Sequence, residues 1–422
     1  MWLIKDSPAL FVDLYELTMA QVYFQKKRND TAYFEVTIRR LPEHWGFFVM
    51  AGLAEVESYL KQFRFSKEDI DYLRSTKIFA DDFLSYLSEL KPEVKIRCLP
   101  EGTVFFQGEP IFEVAGPLIC TQILESYILN ILGFSIIEAT LAARTSIAAK
   151  GAAVVDFGLR RCQGPVASVR SARAAQMAGF RATSNVFAAR ELNFVPAGTM
   201  AHSFVEVYDS EEQSFQNFAE SYGQNAILLV DTYNSIEGIK KAARVARQLY
   251  EQKDIKIRGI RLDSGDLVSL SNFARKYFQE KDVSFLKIFA SGDLDEFKIY
   301  DLLKAGAQID GFGIGTRFAV SRFAPAVEIV YKIVQYSDKA VFKTSPDKQS
   351  RPGRKSITRI RDKYYQKDVI SPLKSRSEDL LKPFKSAEKI QTIQQRLAAE
   401  LSSLDDSIKA IRNPAKYLVE FT

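Results

Sequence analysis

The chain has little cysteine and almost no histidine: three Cys and two His in 422 residues. Cys98, Cys120 and Cys162 form no CxxC pair and show no metal-ligand spacing, so a disulfide scaffold is excluded and a reducing compartment is expected. With only His44 and His202 available, a histidine-based zinc or non-haem iron centre cannot be assembled. A long uncharged apolar run is missing too. The most apolar stretch, PLICTQILESYILNILGFSIIEA, is interrupted by Gln122, Glu125, Asn130 and Glu138 and reads as a buried helix rather than a membrane span. The opening residues MWLIKDSP put Lys5 and Asp6 where a secretory signal needs an apolar core, so a cytoplasmic protein is expected.

What is present is globular. Hydrophobic residues at 46% and charged residues at 26% exclude a disordered or coiled-coil chain, and the length leaves room for two or three modules. The net charge of +6 has one source. Between Lys339 and Lys389, fifteen Lys and Arg stand against six Asp and Glu, a local +9 that leaves the remainder near −3. No basic helix or aromatic-and-basic strand accompanies it, so nucleic-acid binding is not expected, whereas a phosphorylated small ligand remains compatible.

Ser7 and Pro8 read as the N-cap and first position of a helix over about 8–26. TAYFEVTIRR reads as a strand, short helices follow over 51–90 with a start at Ser66-Lys67-Glu68-Asp69, and VKIRCL, TVFF and PIFEVAG form a small antiparallel module. From about residue 118 the pattern becomes a long apolar helix. Strands AAVVDFG, AILLVD, IKIRGIRLD, LKIFASGD and IDGFGIG then alternate with amphipathic helices, which predicts a parallel α/β sheet, open or closed into a barrel. Later, EIVYKIVQY and ITRIRDKYY flank KTSPDKQSRPGRK, and a final helix closes the chain. The expected division is an α+β module at 1–117, an α/β barrel at 118–325 carrying the site, and basic strands with a helix at 326–422 packing on the first module.

In parallel α/β folds ligands bind beyond the carboxyl ends of the strands. ASGDLD (290–295) and GFGIGT (311–316) place glycines there, where backbone N–H groups can approach an anion; each is equally a common turn. GFGIGT lacks the second half of the dinucleotide fingerprint, and no Walker A lysine is present. RLDSGD (261–266) offers a guanidinium and carboxylates for a ribose diol or magnesium pyrophosphate, or else a salt-bridged turn with Asp266 at a helix start. DFGLRR (156–161) offers an aromatic face and two arginines for a planar anionic heterocycle, or a core Phe with surface arginines. His202, among small residues in PAGTMAHSF, can act as a nucleophile near neutral pH or simply as a hydrogen-bonding residue. His44, beside Trp45 and Gly46, has no partner group nearby in sequence.

Together DLYELTMAQVYF, FGLRRCQG, TSNVFAAR, GTMAHSF, RLDSGDL, SGDLDE and GIGT occur in one order. That set resembles the nicotinate phosphoribosyltransferases, over about residues 8–335, and KTSPDKQSRPGRK resembles the family's late PGxK segment. The resemblance implies a type II phosphoribosyltransferase fold, an irregular α/β barrel with an open-faced β sandwich, assembled as a homodimer with shared sites. It implies transfer of phosphoribose from 5-phosphoribosyl 1-pyrophosphate to nicotinate in NAD salvage, with Mg2+ and with ATP hydrolysis coupled through a phosphohistidine. By position, Tyr15, contributed across the subunit interface, and Phe157 would sandwich the pyridine ring, with Arg160, Thr199 and Arg261 as further nicotinate or ribosyl-phosphate contacts. Asp263 would face the ribose and pyrophosphate. Ser291, Gly292, Asp293, Gly313, Gly315 and Thr316 would form a phosphate cup, and His202 would be phosphorylated; no metal ligands are assigned. Where nicotinamide-using relatives carry an Asp near the pyridine, this chain reads Ala182-Thr183-Ser184-Asn185, which favours the acid over the amide. Cys162 stands where a small residue such as Ala is the family pattern, and SPDKQSRPGRK replaces a compact SxGK. Quinolinate or nicotinamide phosphoribosyltransferases, and a non-catalytic paralogue, are the alternatives.

Overall fold

The computed structural model describes residues 8–343, 351–373 and 378–422. They form two compact units, one of the described residues of 8–140 and 323–422 and one of residues 141–322. The divisions fall at 140/141 and 322/323, where composition pointed to 117/118 and 325/326. The first lies inside the Glu125–Ala148 helix, which no change of composition marks. The 18-residue window that makes this helix apolar enough to span a membrane is 78% buried.

Ser7 lies outside the described residues, and Pro8–Leu10 is only a 3-10 turn. The first α-helix is Leu14–Gln25, entered through Asp13. Downstream, Ser66 makes the full capping box, its Oγ accepting from the Asp69 N–H while the Asp69 carboxylate takes the Ser66 N–H.

A six-stranded antiparallel sheet centres the first unit, in the order Lys339–Ala340, Ile329–Tyr336, Thr31–Ile38, Pro110–Pro117, Lys95–Cys98 and Lys382–Pro383. Ala32, Phe34, Val36 and Ile38 alternate onto its buried face. The other face carries a row of charge in register, Lys332, Glu35, Glu113 and Arg97. Glu35 and Glu113 stand opposite each other, an arrangement that repels unless it is neutralised. The PGRK segment supplies the cations: Lys355 Nζ lies 2.8 Å from Glu35, and Arg354 grips Glu113 with Nε at 3.1 Å and Nη2 at 2.7 Å. Arg97 adds a bond to Glu113 at 3.2 Å and one to Asp379 at 2.5 Å. Arg354 and Lys355 of the basic stretch are therefore neutralised inside their own unit.

A three-stranded sheet of Lys355–Arg361, Tyr365–Pro372 and Leu418–Phe421 adjoins this region. At its centre Arg359 binds Asp368 through Nε and Nη2 and Glu400 through Nη1. Asp368 also accepts the Tyr417 hydroxyl at 3.0 Å.

The second unit is built on a six-stranded, wholly parallel curled sheet ordered Ala182–Thr183, Ala153–Asp156, Gly311–Ile314, Lys287–Ala290, Gly259–Leu262 and Ile227–Leu229. Five of these are the apolar runs expected from sequence. Side-chain caps start the intervening helices: Asn234 takes the Glu237 N–H at 3.0 Å, Asp266 the Val268 N–H at 3.1 Å, and Asp295 the Lys298 N–H at 2.8 Å. Gly238 lets the Ser235–Lys253 helix lie directly on the strand end, because a Cβ there would sit 1.9 Å from the Val230 carbonyl oxygen. These short loops fix where each strand end points.

Candidate active site

At the end of Gly259–Leu262, Arg261 is 15% exposed at its side chain. Its Nη1 makes a short bond to Thr199 Oγ1, while Nε lies 3.9 Å from Asp263 Oδ1 and has no hydrogen-bond partner. Burial depresses this guanidinium; Asp263 and Asp231 oppose that, and the Arg160 charge adds to it, so the two arginines feel each other. Arg160 itself is exposed on the 3-10 turn Leu159–Arg161. A ligand with a negative group would relieve both.

Asp263 is held from two sides. Ser291 Oγ makes a short bond to its Oδ1, and its own N–H donates to Asp231 Oδ2 at 2.9 Å. Ser264 Oγ donates to the same Asp231 oxygen at 2.7 Å, leaving Asp231 Oδ1 buried without a partner. Gly292 is required here: with φ at 92° and a would-be Cβ 1.8 Å from the Asp263 carbonyl oxygen, no other residue fits without displacing the backbone. His202 opens the short His202–Glu206 helix and is half-buried, with Nδ1 3.1 Å from Thr232 Oγ1.

The remaining expected residues divide. Phe157 is seated on Gly313, where a Cβ would lie 2.4 Å from the ring. Gly313, expected in the phosphate cup, is buried, and its visible work is to make room for that ring. Gly315 and Thr316 form the turn after the strand, with Thr316 exposed. Asp293, at φ 51°, accepts Arg317 Nε and Nη2, each at 2.6 Å, and Lys298 at 3.2 Å. The Arg317 fork holds that carboxyl well below the usual carboxylate range. Tyr15 belongs to the other unit, 46% exposed on Leu14–Gln25.

The Ala182–Asn185 segment presents no free charge. Asn185 is buried, capping the Val186–Leu192 helix through the Ala188 N–H and donating to Ser168 Oγ at 3.1 Å. Asp156 beside it is turned inward, bonded by Thr183 Oγ1 and the Gly158 N–H, each at 2.7 Å, and burial pushes it upward.

Asp231 ends the AILLVD run and Thr232 follows it; their contacts to Asp263 and His202 bring them into the site. No group of three or more His, Cys, Asp or Glu able to hold a metal occurs among the described residues. A ligand-bridged magnesium needs fewer protein ligands, one or two carboxylates with water and phosphate, and the vacant oxygen of Asp231 beside Asp263 fits that donor set. A cavity of about 520 Å3 touches Asp263, Asp266, Gly292 and Lys298. A larger one, about 960 Å3, lies on the charged sheet face of the first unit, beside Tyr33, Arg97 and Arg354, and includes none of the expected site residues.

Family models match over residues 10–133, as the nicotinate phosphoribosyltransferase N-terminal domain, and over 152–372, as the nicotinate phosphoribosyltransferase family. The chain belongs to the nicotinate phosphoribosyltransferase family. It is 42% identical to the Mycobacterium tuberculosis nicotinate phosphoribosyltransferase pncB2 over 351 residues, 83% of this chain and 75% of that one. It is 38% identical to the Bacillus subtilis nicotinate phosphoribosyltransferase over 363 residues, 84% and 74% respectively. The crystal structure of human nicotinic acid phosphoribosyltransferase superposes with a TM-score of 0.82 over 97% of both chains at 24% identity. Nicotinate-nucleotide pyrophosphorylase from Pyrococcus furiosus gives 0.76 at 24% identity, covering 94% of this chain and 97% of that one. At that identity the structural likeness speaks for the fold alone, the type II phosphoribosyltransferase architecture; family members at 38–42% identity separate this chain from other enzymes on it.

Proposed function

We propose that the protein joins nicotinate to 5-phosphoribosyl 1-pyrophosphate, giving nicotinate mononucleotide and pyrophosphate, and that ATP hydrolysis drives the step through phosphorylated His202. The observation that carries this reading is the convergence of the under-satisfied Arg261, the Asp263–Asp231 pair and His202 at neighbouring ends of one parallel sheet.

The nicotinate nitrogen attacks C1 of the ribose as the C1–oxygen bond to pyrophosphate breaks, and the electron pair leaves with pyrophosphate. A carboxylate-substituted pyridine is a weak nucleophile, so alignment and charge stabilisation dominate. Phe157 gives the ring a flat wall, and the Arg160 and Arg261 charges attract the nicotinate carboxylate or the ribosyl phosphate. Asp263, fixed by Ser291, would face the ribose hydroxyls, and the backbone N–H groups of Gly292, Gly315 and Thr316 would face phosphate, the Ser291 N–H being taken by the Leu262 carbonyl. Asp231 and Asp263 are the carboxylates that would hold magnesium. When bound, that ion would neutralise the pyrophosphate leaving group. The uncharged Thr183–Asn185 segment supports preference for nicotinate over nicotinamide.

With Nδ1 of His202 engaged by Thr232, Nε2 is the atom to take the γ-phosphoryl group, its lone pair forming the N–P bond as ADP departs. The phosphate adds about two negative charges that organise nearby cations. A cytoplasmic homodimer, with Tyr15 reaching the partner's site, completes the reading.

The test is a product assay with nicotinate, nicotinamide and quinolinate, each with and without ATP. Nicotinate-selective release of pyrophosphate, accelerated by ATP, is expected. Carbon dioxide from quinolinate, or no pyrophosphate release at all, would overturn it. His202→Ala should lose ATP stimulation and radiolabelling from γ-labelled ATP while keeping slow transfer.

A further inference from the structure

The sequence Asp13-Leu14-Tyr15-Glu16 has the pattern of a capping box, in which the first carboxylate takes an N–H of the first turn and the second returns to the N-cap N–H. That closure is interrupted. Asp13 stands at the N-cap without a side-chain cap bond, and Ser126, from the start of Glu125–Ala148, is wedged into the gap. Ser126 Oγ accepts the Asp13 N–H at 3.2 Å, lies 2.9 Å from Asp13 Oδ2 and makes a short contact with Glu16 Oε1. The Ser126 N–H donates to that same Oε1 at 3.2 Å.

A serine hydroxyl has one hydrogen, and two carboxylate oxygens face it. One of the acids must bring its own proton. Asp13 is exposed, whereas Glu16 is 0% exposed and its Oε2 has no hydrogen-bond partner. A charge is costly in that position.

We propose that Glu16 is a protonated positioning residue: the neutral acid donates to Ser126 Oγ, Ser126 donates to Asp13, and this relay pins the first turn of the helix that presents Tyr15. The surroundings fit. Facing Glu16 are Glu125 from the Glu125–Ala148 helix, Asp13 and Tyr15 from its own, Tyr59 from Leu53–Gln62 and Tyr331 from Ile329–Tyr336. Burial above all, with the Glu125 and Asp13 charges, pushes Glu16 up to about 8 against the opposing pull of its Ser126 bonds. The Tyr15 hydroxyl in turn faces the Glu125 carboxylate. Deprotonation of Glu16 leaves two carboxylates on one hydroxyl, with the Glu125 charge also acting on Glu16, and loosens the turn.

The functional part rests on reading Tyr15 as a nicotinate contact; the proton itself does not. Two measurements separate them. A group whose folded-state value is raised contributes stability in full below the ordinary carboxylate range and loses it as pH rises through about 8. The wild-type melting temperature should therefore drop more between about pH 7 and pH 9 than that of Glu16→Gln, and infrared difference spectra should show a protonated carboxyl at about pH 7 that the variant lacks. In turnover, the wild-type KM for nicotinate should rise several-fold over the same interval with kcat changed less, while Glu16→Gln stays within about twofold of its neutral value. Ser126→Ala should raise KM at every pH. If Glu16→Gln is as damaging as Glu16→Ala at neutral pH, or the infrared band is absent, an ionised Glu16 is required and the proposal is wrong. If no variant transfers phosphoribose to nicotinate, the functional reading fails, and the melting and infrared results alone decide the proton.

Discussion

Arg359 in the first unit and Arg261 in the second are both arginines withdrawn from solvent, and they are treated in opposite ways. Arg359 has Asp368 on one edge, Glu400 on the other, and the rings of Phe106 and Tyr365 within 5.6 and 4.7 Å. Arg261 has one short bond to a threonine, a distant carboxylate and an Nε with nothing to donate to. Saturation holds a fold together; incompleteness leaves binding energy for something that arrives. The same contrast separates Asp368, surrounded by donors, from Asp231, whose second oxygen is vacant.

Mutation should split the two arginines cleanly. Arg359→Met leaves Asp368 buried without its cation, and loss of one partner of a buried pair costs about 3–5 kcal/mol; chemical denaturation should show it, with the kinetics of any folded fraction little changed. Arg261→Lys removes a planar fork while keeping the charge. It should lower kcat/KM by about 10²–10³-fold with the melting temperature nearly constant, an outcome of the size seen when one stabilising donor is removed from an active site. A large loss of stability in Arg261→Lys would mean that its incomplete bonding is no sign of function.

The smallest expected effect concerns the proton balance of the saturated cluster. Glu109 is 0% exposed, accepts the Phe106 N–H through Oε2 at 3.1 Å, and faces Asp368. Burial, then the Asp368 charge, raise it well above the ordinary carboxylate value, which favours the neutral acid in the folded chain. Its contribution is complete below the ordinary carboxylate range and is lost as pH rises through the raised value. Glu109→Gln keeps a donor and drops the titration. It should be within about 1 kcal/mol of wild type at mildly acidic pH and relatively more stable at alkaline pH, read from denaturation midpoints.

How much of this was legible in the sequence depended on range. The Ser66 capping box and the five apolar barrel strands are local patterns, and they stand where the sequence put them. The helix expected from Pro8 begins at Leu14, after a 3-10 turn, and the acidic side chains at 13 and 16 that bond at its start do so to Ser126, a residue over a hundred positions away. The Ala182–Thr183 strand is too short for any periodicity to show. Arg354 and Lys355 read as surplus charge because their counter-ions, Glu113 and Glu35, lie more than two hundred residues upstream and become visible only once the strands pair. At the site, RLDSGD and ASGDLD were legible as strand-end chemistry, and His202 as a nucleophile or hydrogen-bonding residue among small neighbours. The parts played by Asp231 and Thr232 needed the lateral order of the strands, which parallel topology does not reveal in sequence order.

Gly313 and Phe157 carry a consequence for engineering. Since the phenyl ring occupies the volume a side chain at 313 would need, the two positions are a single hereditary character: neither can drift while the other stays. On the role proposed for Phe157, admitting a bulkier heterocycle has to begin with the ring, and only after the ring has shrunk does the backbone beneath it become open to variation.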